Sequence, residues 1–150
     1  MRIGRKDEPI IYQKDYNFEI GKSVLLREGK DVTIIATGLM VSKALQAAEE
    51  LTKEGIDARV INMHTIKPLD KEAIIKAAQE TRGIVTIEEH NLFGGLGESI
   101  AAVVAEEKPV PVKRIGIPDT FVVIGAQSQL LERYGITVSN IVKKAKEILS

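Results

Sequence analysis

Two histidines and a set of carboxylates stand where short apolar runs break off. His64 and Asp70 follow the run that ends at Met63, Glu88, Glu89 and His90 follow Ile84 to Ile87, and Asp119 follows Val112 to Ile117. Titratable groups at strand ends are placed for acid–base work, because ligands of open α/β sheets collect beyond the carboxyl ends of the strands. The same residue types also cap helices and hydrogen-bond loop amides, and that structural role is the weightier reading at each position. Two histidines with scattered carboxylates lack the local spacing of a zinc site.

Gly94-Gly-Leu-Gly97 offers a second chemistry. A glycine turn between a strand and a helix can hold a pyrophosphate on backbone N–H groups, with Asp119 about twenty positions on as the ribose ligand. Counted from Gly95, however, the pattern is Gly-x-Gly-x-x-Ile and lacks the third glycine. Glu89 to Phe93 also lengthen a turn that should be tight, and the unit is the third in the chain rather than the first. The alternative is a turn whose glycines let a helix pack close to the sheet. His90, Glu89, Gly94, Gly95 and Gly97 are the candidate ligand or partner contacts. No residue is assigned as catalytic or metal-binding.

These residues require an alternating scaffold. Val32 to Ala36 reads as a buried strand, followed by helical spacing through Val41, Ala44, Leu45, Ala48 and Leu51 and a terminating Gly55. Asp57 to Met63 is the next strand, with Pro68 and a capping Asp70 before a helix carrying Ala73, Ile74 and Ala77. Ile84 to Ile87 and Val112 to Ile117 are the third and fourth regular strands, the helix between them carrying Ile100, Val103 and Val104. The tail presents Val138, Ile141, Val142, Ala145 and Leu149 on one helical face, with lysines where the helix dipole favours cations. Residues 1–30 read as a linker with a short edge strand near Val24 to Leu26, and residues 31–150 as an α/β core with a largely parallel sheet and right-handed crossovers.

Composition narrows the function. With 150 residues, 44% hydrophobic and 28% charged, the chain makes one domain with a substantial core. Twenty-one basic side chains balance twenty-one acidic ones, so no net field draws nucleic acid or anionic membrane. Cysteine is absent, which excludes disulfides and thiolate chemistry and fits a reducing cytoplasm. No apolar run approaches a spanning length, and the start, Met1 to Asp7, lacks a signal-like stretch. A soluble cytoplasmic protein with no membrane and no nucleic-acid partner is expected. Neither a Gly-x-Ser-x-Gly elbow nor a Walker loop occurs. Arg82, Arg114 and Arg133 read as surface salt-bridge partners.

Two segments carry a family resemblance: Val60-Ile-Asn-Met-His-Thr-Ile-Lys-Pro-Leu-Asp70 and Ile84-Val-Thr-Ile-Glu-Glu-His-Asn-Leu-Phe-Gly-Gly-Leu-Gly-Glu98. They resemble the last domain of transketolase-type thiamine diphosphate enzymes, most of all the separate C-terminal transketolase subunit of some bacteria and archaea, from about Tyr12 to Leu149. The 2-oxoacid dehydrogenase β subunits and deoxyxylulose phosphate synthase share the Ile-Lys-Pro-Leu-Asp skeleton. The resemblance implies a three-layer α/β/α fold whose five-stranded mixed sheet is mostly parallel, its first strand, near Ser23 to Arg27, being antiparallel. It implies ketol transfer between sugar phosphates in a complete enzyme that holds thiamine diphosphate and magnesium through a Gly-Asp-Gly segment in another domain. This chain has no Gly-Asp-Gly. It is therefore expected to bind no cofactor and to turn over no sugar alone, to partner the N-terminal and middle domains, and to support a homodimer. Whether Met1 is the native start is left to the neighbouring reading frame. A regulatory anion- or nucleotide-binding module and a ligand-free dimerisation domain are the other function classes. The sequence departs from the family at Pro118 to Gln129, where apolar Val122-Val-Ile124 replaces a polar run. Those side chains must enter the chain's own core or face a partner.

Overall fold

The computed structural model describes residues 9–12 and 16–150. The charged start, Met1 to Asp7, lies outside the described residues. Five strands and five helices alternate in the order β1 (Val24–Arg27), β2 (Val32–Ala36), α1 (Met40–Lys53), β3 (Ala58–Asn62), α2 (Lys71–Glu80), β4 (Ile84–Asn91), α3 (Leu96–Glu107), β5 (Val112–Ile117), α4 (Gln127–Arg133) and α5 (Val138–Leu149).

The strands form one sheet in the order β1-β3-β2-β4-β5. β1 runs antiparallel to β3, and the other pairings are parallel. β2 and β3 are buried at every position, as strands covered on both faces must be. Val32, Ile34, Ala58, Val60, Val85 and Ile87 pack on one face against α1 and α5, where Ala44, Ala47, Ala48 and Ala145 let the helices come close. Ile35, Ile61 and Ile84 pack on the other against α2 and α3. This is the expected three-layer α/β/α architecture with its antiparallel first strand.

The local signals act as anticipated at several ends. Gly55 takes φ +79° after α1, a conformation that a side chain disfavours. Asp70 accepts a hydrogen bond from the Ala73 N–H at the start of α2, and Thr137 does the same for Asn140 at α5.

Three features differ from the sequence reading. β4 continues past Ile87 to Asn91, with a register shift before Asn91 pairs with Ile117, so Glu88, Glu89 and His90 belong to the strand and not to a turn. Charged residues in a strand mimic a turn in hydropathy, which is why the strand reads short. α4 is a further helix, seven residues long, which its polar start conceals. Arg114 makes no salt bridge among the described residues; its guanidinium donates to the Leu92 carbonyl at 3.0 Å and its stem lies against Gly97.

Candidate functional site

The carboxyl edge of the parallel strands carries the candidate residues, and the β4–α3 crossover is its most tightly built part. Glu88 is 2% exposed. Its side chain turns towards α3 and accepts hydrogen bonds from the N–H groups of Leu96 and Gly97, both at 2.7 Å. Those are helix-start amides that have no partner inside the helix, and a carboxylate there meets both the amides and the positive end of the helix dipole. The Gly94 N–H is taken by Glu98, and the Phe93 N–H by Asn91 Oδ1 at 2.8 Å.

The glycines make this possible. A Cβ on Gly95 would lie 2.3 Å from Glu88 Oε2 and 2.7 Å from the Asn91 carbonyl oxygen. On Gly97 it would lie 2.6 Å from Thr86 Oγ1 and 3.1 Å from the Arg114 stem. Gly94 takes φ +73° with open space around it, so its requirement is the backbone conformation alone. The amides that a pyrophosphate would use at Gly94, Leu96 and Gly97 already hold the chain's own carboxylates.

His90 is exposed, with Nδ1 3.0 Å from the Asn91 carbonyl oxygen. Glu89 accepts from Gln127 Nε2 at 2.7 Å, tying β4 to the start of α4. Phe93 is also exposed, beneath the Arg114 guanidinium at 5.9 Å from its ring centroid.

His64 lies in a different place. β3 and β4 follow one another along the chain, but β2 stands between them in the sheet, so the two histidines sit two strand spacings apart and form no acid–base pair. His64 Nδ1 meets Thr65 Oγ1 at 2.9 Å, and burial, opposed in part by nearby Asp70, holds its pKa below the ordinary histidine value. Asp70 is buried. Its Oδ1 accepts from Ala73 N–H at 3.2 Å and its Oδ2 from Ser23 N–H and hydroxyl at 2.7 and 2.9 Å. Burial alone would raise its pKa, but these hydrogen bonds and Lys22 outweigh it and hold the carboxyl below its usual value.

Beyond β5 the edge changes character. Asp119 is exposed, and the stretch from Pro118 to Ala126 has no regular structure. Phe121 and Ile124 are fully exposed and Val122 and Val123 about half so. The Val123 N–H donates to the Tyr134 hydroxyl at 3.3 Å. Among the described residues no group of three or more His, Asp or Glu side chains is placed to hold a metal ion, and no helix is long and apolar enough to cross a membrane.

Sequence reasoning marked Glu88 as one of several strand-end carboxylates but did not single it out. Its acceptor role spans eight and nine residues, beyond any local capping pattern.

Residues 21–141 match the family model described as "Transketolase, C-terminal domain". The chain is 45% identical over 148 residues to the 6-deoxy-6-sulfo-D-fructose transketolase subunit SqwH of Clostridium sp. (strain MSTE9), covering 99% of this chain and 46% of that protein. It is 52% identical over 130 residues to 1-deoxy-D-xylulose-5-phosphate synthase of Heliobacterium modesticaldum, covering 86% of this chain and 20% of that protein. A solved structure titled "Split gene transketolase, inactive beta4 tetramer" superposes with a TM-score of 0.92 at 43% identity, over 97% of this chain and 48% of that one. The chain spans less than half the length of either curated relative.

Proposed function

Since the chain belongs to the transketolase C-terminal domain family, we propose that it serves as the C-terminal part of a split transketolase. In that assembly a two-carbon ketol unit passes between sugar phosphates through thiamine diphosphate and magnesium, both held by the N-terminal and middle domains. This domain holds no cofactor and is inactive alone. It completes and stabilises the assembly in the cytoplasm as a homodimer.

The observation that carries this reading is the extent of the match. Similarity to the transketolase subunit runs over 99% of the chain, whereas similarity to the deoxyxylulose phosphate synthase stops at 86%. The geometry is consistent with a non-catalytic role, because Glu88 and Glu98 are spent on the amides of Leu96, Gly97 and Gly94. Exposed His90 and Phe93, together with Phe121 to Ile124, are the partner contacts, and Gly94, Gly95, Gly97 and Glu89 shape the surface that presents them. The loop after β5 lies near the two-fold axis of the dimer, which buries about 1,000 Å² or more.

Calorimetry and a coupled ketol-transfer assay test the reading. The purified chain is expected to give no heat with thiamine diphosphate and magnesium and no turnover, and mixing it with the polypeptide that supplies the other two domains is expected to restore transfer. Micromolar cofactor binding by this chain alone, or full activity of the other polypeptide without it, would sink the proposal.

A further inference from the structure

Residues 16–23 run ahead of β1 as an irregular strap along the β3–α2 loop. One end is fixed: Ser23 donates twice to Asp70, and Lys22 pairs with Glu72 at 2.9 Å. Gly21, at φ +88°, faces Pro68, whose Cγ would lie 3.0 Å from any Cβ there. At the other end Tyr16 stacks on Tyr12 at 3.9 Å, and the Tyr12 hydroxyl accepts from Asn62 Nδ2 at 2.7 Å. Between the two anchors the strap rests on a ring contact. Phe18, more than half exposed, has its centroid 4.6 Å from that of His64, with the rings tilted by 36°. His64 Nδ1 meets Thr65 Oγ1, while Nε2 is buried with no hydrogen-bond partner among the described residues.

We propose that the Phe18–His64 contact is an acid-released latch: protonation of the imidazole releases the Phe18 ring, and the strap between Tyr16 and Gly21 bows outward while Ser23 stays anchored on Asp70 and Tyr16 on Tyr12. An imidazolium carries an N–H at both ring nitrogens, and the one at Nε2 has no acceptor in the closed arrangement. A phenyl face attracts a cation, but it supplies no hydrogen bond and shields the ring from water. Opening returns that N–H to solvent.

The sign follows from the same groups. Burial depresses the His64 pKa in the closed form, with Asp70 opposing. The closed form is therefore fully favoured above the free histidine value of about 6.5, and loses ground as the pH falls below it. Among the described residues, the charged or titratable groups near this contact are Asp70 at the start of α2, Glu19 and Lys22 on the strap with Glu72 as the partner of Lys22, and Tyr12, whose hydroxyl accepts from Asn62 Nδ2 and on whose ring Tyr16 stacks. Asp70 is shifted down and Tyr12 and Lys22 are shifted up, all away from this window. Release uncovers the His64 ring just beyond the carboxyl end of β3.

Fluorine NMR of the full chain labelled with fluorophenylalanine reads the latch directly, with three phenylalanines to assign. Between about pH 7.5 and about pH 5.5, the Phe18 resonance is expected to shift with the midpoint of the His64 ring proton, below the free value. In His64→Gln the Phe18 resonance is expected to stay put across the same range. His64→Phe, which keeps an aromatic partner without a titrating group, gives the same expectation should the glutamine variant fold poorly. A Phe18 resonance that stays fixed while His64 titrates overturns the proposal, as does one that moves equally in either variant.

Discussion

At the crossover from β4 to α3, a buried carboxylate, two clashing glycine positions and an arginine stem fit together with the helix-start amides satisfied. At the neighbouring exit from β5, the loop before α4 leaves Phe121 and Ile124 wholly in solvent, and the Val123 N–H ties its apolar run back to Tyr134. The two segments leave the same end of adjacent strands. The first spends two carboxylates and three backbone amides on its own shape. The second spends little on itself and leaves apolar side chains in solvent, which is the basis for proposing it as a partner contact. The difference separates residues that build the domain from residues proposed to connect it.

Glu88→Ala should have the largest effect on stability. It leaves the Leu96 and Gly97 N–H groups buried without acceptors and opens a cavity beneath α3. Each orphaned donor costs about 1–3 kcal/mol, so a loss of about 3 kcal/mol or more is expected. Glu88→Gln keeps one carbonyl acceptor and should lose about half as much. Urea midpoints that hardly move in either variant would mean the carboxylate is not what holds the turn.

Gly97→Val comes next, at about 1–3 kcal/mol, because the new side chain must displace Thr86 and the Arg114 stem. Thermal melts compared with Gly94→Val separate two causes, since Gly94 has open space and only its positive φ is at stake. Equal losses would argue for general backbone sensitivity over close packing.

Asp70→Ala should cost about 1–2 kcal/mol, through the lost cap on α2 and the lost anchor for Ser23. Its carboxyl pKa lies below the unfolded value in the folded chain. The stability it contributes is therefore fully present above about pH 4 and is lost as the pH falls through the depressed value. Urea denaturation between about pH 5 and about pH 2 should show a shallower acid loss in Asp70→Asn than in the native chain.

The core was legible because each signal is local. Val32 to Ala36 is an apolar run interrupted by Thr33 alone, Gly55 ends a helix, and Asp70 stands three residues before the amide it caps. The antiparallel β1 came from resemblance rather than pattern, because four residues with mixed burial carry little periodicity. Glu88 escaped because its amides are eight and nine residues away, and its strand because charged residues interrupt the apolar run. For Val122 to Ile124, composition offered both a core and a partner; only the fold, with the sheet's faces already filled by α1, α5, α2 and α3, puts them outside.

Sedimentation of the native chain and of Val123→Asp tests most directly whether the loop after β5 is an interface. Val123 is half exposed in the single chain, so the substitution should change folding stability by less than about 0.5 kcal/mol. Within an interface the same carboxylate would be desolvated without a partner. The account predicts a dimer for the native chain at tens of micromolar and a folded monomer for Val123→Asp, with the circular dichroism of the native chain. A native chain that sediments as a monomer at that concentration, or a variant that dimerises as well as the native chain, would contradict it.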